Sequence, residues 1–128
     1  MSPERTLLFV FNINTGNLSG RTDYHQSPGT TKEPRCHLFE LIFSPVGMKK
    51  GWKRFLNELP LPSRLLFLDE FQVEFGIARP SVPVVYLQSA KSLQELITTD
   101  ELQQIPSTDL LIDLVTRRLH DALHYENG

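Results

Sequence analysis

Cys36 is the only thiol in the chain, and His37 follows it directly. A cysteine beside a histidine and upstream of several lysines has the surroundings of a nucleophile, because neighbouring positive charge stabilises the thiolate. On this reading Cys36 would serve a single-thiol transferase or reductase. The competing reading is an inert, partly buried cysteine, favoured because no second cysteine exists to resolve a mixed disulfide. Lys49, Lys50, Lys53 and Arg54 form the second constellation. If a helix starts near Gly47 and Met48, these cations sit at its N-terminal end, which is already positive and favours anions. That arrangement suits phosphate, a small phosphate-bearing ligand or an acidic partner protein. A solvated polar face is the plainer alternative.

Two further motifs are weaker. Gly16 to Thr22, GNLSGRT, is one residue short of a phosphate-binding loop and carries Arg21 in place of its lysine. A turn leading into a frayed helix explains it better. His120 and His124 lie four apart in HDALH, so they share one helix face and can share a metal ion. Asp121, however, is shorter than the glutamate base of such sites, and residues 125–128 hold no further histidine. Cys36, His37 and His25 lack the paired spacing of a zinc site. No metal and no cofactor are expected. Trp52 and Phe55 lie on the helix face opposite the lysines, where the core claims them, so nucleic-acid binding is not expected either.

Length and composition set the frame for these side chains. A chain of 128 residues, with 40% hydrophobic and 22% charged residues, reads as one globular domain spanning 1–128. The formal charge of −2 excludes a global pull towards nucleic acid or anionic membrane, so electrostatic recognition must be local. A lone cysteine fits a reducing compartment. The run Leu7 to Phe11 is too short for a signal-peptide core, and no stretch approaches the ~20 apolar residues of a spanning helix. A cytoplasmic protein without membrane contact is the expectation. Whether it is a monomer or a homodimer is open at this stage.

The elements that must position the site follow from periodicity. Thr6 to Ile13 is a nearly unbroken apolar run, as in a strand buried on both faces. Asn14-Thr15-Gly16-Asn17 ends it with turn chemistry. Leu18 to Gln26 reads as a short, poor helix, and Ser27 to Pro34 as a loop. From Met48, the residues Met48, Trp52, Phe55, Leu56 and Leu59 form one helical face, closed by Pro60. Arg64 to Leu68 is a second strand, and Asp69 to Gly76 a short helical turn. Val84 to Leu87 and Ser92 to Ile97 are a third and a fourth strand. Thr98 and Glu101 have capping-box spacing for a brief helix. Pro106 and Ser107 precede a final helix with Leu110, Leu111, Leu114, Val115, Leu119, Ala122 and Leu123 on its apolar face.

This order predicts an α/β protein whose central four-stranded mixed sheet has flanking helices, and it resembles the thioredoxin-like fold. The resemblance implies that Pro83, before the third strand, faces the loop after the first and follows a cis bond. More closely, the chain resembles a group of small, uncharacterised bacterial proteins with thioredoxin-like topology. The residues that carry this are Asn12 with Thr15-Gly16, Cys36-His37-Leu38, Gly47-Met48-Lys49-Lys50 with Trp52, Asp69-Glu70-Phe71, and Val82-Pro83-Val84-Val85-Tyr86-Leu87. Where the group has a second cysteine, this chain has Phe39. The resemblance implies a fold and no particular activity; the departure at Phe39 leaves a degenerate redox motif, which favours a non-catalytic binding or interaction module. Its surface would draw on Asn14, Thr15, Gly16, Cys36, His37 and Pro83, with Lys49, Lys50 and Lys53 at the edge.

Overall fold

A computed structural model describes residues 5–14, 36–90 and 92–127, with side chains described as far as residue 123. Strand β1 (Thr6–Val10) is the centre of a four-stranded sheet ordered β4-β1-β5-β6. It runs parallel to β4 (Ser63–Leu66), with Leu7 opposite Ser63 and Val10 opposite Leu66. It runs antiparallel to β5 (Val84–Ser89), with Leu8 opposite Tyr86 and Val10 opposite Val84. Strand β6 (Ser92–Ile97) completes the sheet antiparallel to β5, with a bulge at Val85/Tyr86. Residues Leu7 to Val10 are fully buried, as their unbroken apolar run requires of a central strand with both faces covered.

Alternation along the strands sends side chains to two cores. One face presents Leu7, Phe9, Phe11, Val85 and Leu87. Onto it pack the helices α1 (His37–Ile42), α2 (Lys50–Glu58), α4 (Thr99–Gln103) and α5 (Thr108–Asn127). Trp52 of α2 is fully buried there, edge-on to Phe9 at 5.1 Å between centroids. The other face presents Leu8, Val10, Leu66, Val84 and Tyr86 to a single helix, α3 (Leu68–Phe75), through the fully buried Phe71. Burying each such large side chain contributes roughly 1.5–3 kcal/mol, so the thicker layer carries most of the apolar stabilisation.

Several expected boundaries shift. The ladder of β1 ends at Val10, although Phe11 and Ile13 stay buried and their backbones bond to Leu66 and Leu68. Helix α2 begins at Lys50, not at Met48. Met48 instead belongs to β3 (Gly47–Met48), which pairs with β2 (Phe43–Ser44) in a small hairpin. Gly47 has φ 127°, a conformation that β-carbon sterics oppose in other residues. That hairpin and α1 were not legible from periodicity. Leu110 does not join the apolar face of α5 and is 50% exposed. The helical turn at Asp69 to Gly76 is α3, ended by Gly76 at φ 69°. The brief helix after Thr98 is α4, with both bonds of its capping box present. The Val82–Pro83 bond is cis. The weak helix expected over 18–26, the loop over 27–34 and the GNLSGRT segment lie outside the described residues.

Candidate functional site

Of the sequence-predicted residues, Asn14, Cys36 and Pro83 lie at the end of the sheet where β1 and β4, the parallel pair, finish. Val10 is opposite Val84, so Pro83 stands level with Phe11, and Asn12 to Asn14 follow at the same end of the sheet. The Asn12 amide donates to the Cys36 Sγ across 3.2 Å. Helix α3 starts at this end too, since the Leu68 amide donates to the Ile13 carbonyl. Pro83 is buried and Asn14 is exposed. Thr15 and Gly16 lie outside the described residues.

Cys36 is only 2% exposed. Burial pushes its thiol pKa above the ordinary value, and amide hydrogen bonds from Asn12, Phe39 and Leu38 offset this only in part. The negative charge of Glu40 adds to the upward shift. A nucleophile needs the opposite, an exposed thiol with a lowered pKa. His37 does not help, because its ring turns away and its Nε2 meets the Ile105 carbonyl. The cysteine and histidine that are adjacent in sequence therefore serve different neighbourhoods.

Phe39, three residues beyond Cys36, is part of an aromatic cluster. It stacks on Phe43 with centroids 4.6 Å apart and meets Phe11 edge-on at 5.2 Å. Phe67, the residue before α3, closes the group at 5.7 Å from Phe11 and 6.5 Å from Phe39. Phe11 is buried, whereas Phe39, Phe43 and Phe67 are half-buried and reach the surface. Sequence reasoning missed Phe11, Phe43 and Phe67 as a site because they are scattered over more than fifty positions. The four-residue spacing of Phe39 and Phe43 was the available signal.

The lysines divide. Lys49 precedes α2, and its ammonium donates to the Thr108 hydroxyl at 3.3 Å, tying α2 to the start of α5. Thr108 in turn donates to the Leu41 carbonyl. Lys50, Lys53 and Arg54 are exposed on α2. No side chain caps the start of this helix, and no acidic residue lies in its first turn. His120 is exposed on α5 and the His124 side chain lies outside the described residues. Among the described residues no group of three or more His, Cys, Asp or Glu could hold a metal. An open apolar groove of about 470 Å³ runs between Phe55, Leu59 and Pro60 on one side and Leu119, His120 and Leu123 on the other. It holds neither Cys36 nor Pro83 nor the lysines. No described helix is long and apolar enough to cross a membrane. No family model matches the chain, and neither does any curated protein or solved structure.

Proposed function

We propose that this chain is a non-catalytic interaction module with a thioredoxin-like fold, working through the end of the sheet where Phe39, Phe43, Phe67 and Pro83 gather. The sheet order β4-β1-β5-β6, with one parallel pair and helices on both faces, supports the fold assignment. The burial of Cys36 carries the functional reading. A thiol 2% exposed, with its pKa raised by burial, has neither the access nor the charge state for attack. Phe39 stands where the resemblance has a second cysteine, and it contributes aromatic surface instead of a redox partner. Half-buried aromatic side chains of this kind anchor protein contacts.

The test is alkylation of the folded protein by iodoacetamide at pH 7. Cys36 should react at least tenfold more slowly than free cysteine, through transient opening only. A rate at or above the free-thiol value would replace this reading with the single-thiol transferase or reductase. A second reading, anion binding by Lys50 and Lys53, is favoured by the uncapped start of α2. It predicts thermal stabilisation by phosphate-bearing ligands that Lys50→Glu with Lys53→Glu removes. Absence of any shift in the wild type ends it.

A further inference from the structure

Resting on the interaction reading above, we infer that the partner at this end of the sheet is a second copy of the chain, docked about a two-fold axis. Helices α2 and α3 lie on opposite faces of the sheet and both begin at this end. Their starts carry opposite charge. Residues 49–54 hold Lys49, Lys50, Lys53 and Arg54 with no acid, whereas α3 opens with Asp69 and Glu70. The aromatic seam lies between them. Phe67 is the residue before α3, and Phe43 pairs with Met48, two positions before α2.

A patch with positive charge on one side, negative charge on the other and an apolar middle is complementary to itself. A two-fold rotation brings the α2 start of each copy against the α3 start of the other, and the two seams meet at the axis. Isologous contacts take this form, with an apolar centre and a polar rim. Val46, at the tip of the β2–β3 hairpin that begins at Phe43, is 97% exposed and would gain burial from an outside partner. The seam is short compared with a standard interface of about 1,600 Å², so the dimer is weak and salt-sensitive.

The experiment is sedimentation equilibrium on the full chain at low salt, up to about 1 mM protein. The wild type should approach twice the monomer mass, and Val46→Glu should weaken association at least tenfold. Val46 is almost fully exposed among the described residues, so this variant should keep the wild-type melting temperature of the dilute monomer. Lys50→Glu with Lys53→Glu should be monomeric alone, as should Asp69→Lys. An equimolar mixture of the two should dimerise again, because the heterodimer sets the unaltered α3 start of one variant against the unaltered α2 start of the other, a contact that neither variant can form with itself. A wild type that stays monomeric throughout, a dimer indifferent to Val46→Glu, or a mixture that fails to dimerise would overturn the inference. A monomeric wild type with a slow Cys36 leaves the interaction reading standing with a different partner. Rapid alkylation ends that reading whatever the mass.

Discussion

The starts of α2 and α3 show two ways of beginning a helix. Helix α3 is satisfied from within: the Glu70 carboxylate accepts the Phe67 amide at 2.9 Å, and Asp69 and Glu70 complement the positive end of the helix. Helix α4 begins in the same way, with Thr98 and Glu101 exchanging both capping-box bonds. Helix α2 does the reverse. It has no capping side chain and gathers cations where the helix dipole disfavours them, each at a cost of about 0.3–1 kcal/mol. What holds it is the underside, where Trp52 and Phe55 enter the core. The exposed charges at the α2 start therefore add nothing to the stability of the monomer, and the proposed dimer contact would give them a use.

The largest effect should come from that underside. Trp52→Ala should lower the free energy of unfolding by about 3–5 kcal/mol in urea denaturation, a loss that no change at the α2 start can match. If Trp52→Ala costs less than the loss of a helix cap, the contrast between the two helices fails.

Acid should come next, acting on α4 and not on α2. Glu101 accepts two bonds from the Arg118 guanidinium, at 3.0 and 2.5 Å, and the Arg118 side chain also donates to the Leu96 carbonyl at the bulge. This pairing holds the Glu101 carboxyl at about 2, below its ordinary 4.5. The depressed value means that the pair stabilises the fold fully above about pH 4.5 and loses that contribution as pH falls towards about 2. Because the pair is one-third exposed and screened by water, its contribution is on the order of 1 kcal/mol. Glu101→Gln should flatten the acid limb of the stability profile between those values, whereas Lys50→Gln should leave it unchanged.

Smaller still, Glu70→Ala should cost about 0.5–1 kcal/mol by leaving the Phe67 amide without its carboxylate. Lys50→Gln should raise monomer stability by about 0.3 kcal/mol, the opposite sign, because it removes a cation from the positive end of a helix. Thermal melts at low salt can read both. Equal signs would show that the two helix starts do not differ as described.

The parts of this fold that were legible from the sequence are those with a repeat long enough to count. The buried run Leu7 to Phe11, the helical face through Trp52 and Phe55, and the Thr98/Glu101 capping box announce themselves through spacing alone. Helix α1 did not, since six residues give fewer than two turns of periodicity, and the β2–β3 hairpin pairs only two residues a side. Met48 read as the first apolar residue of α2 because a cross-strand partner at Phe43 leaves no local pattern. The candidate site was legible in part. The resemblance to the thioredoxin-like fold implies that Asn14, Cys36 and Pro83 share one end of the sheet, but the burial of Cys36 and the turn of His37 towards Ile105 arise from contacts distant in sequence. The aromatic cluster was hidden for the same reason: Phe11, Phe39 and Phe67 belong to three different elements or their flanks.

In the proposed interaction module, Cys36 is a buried thiol withdrawn from chemistry. Titration of Cys36 by the ultraviolet absorbance of its thiolate, in the folded protein, measures this directly. The inflection should lie above the ordinary cysteine value of about 8.5 and fall back to that value when the chain is unfolded in urea. An inflection at or below about 7 in the folded state would mark an activated thiolate and contradict the interaction reading.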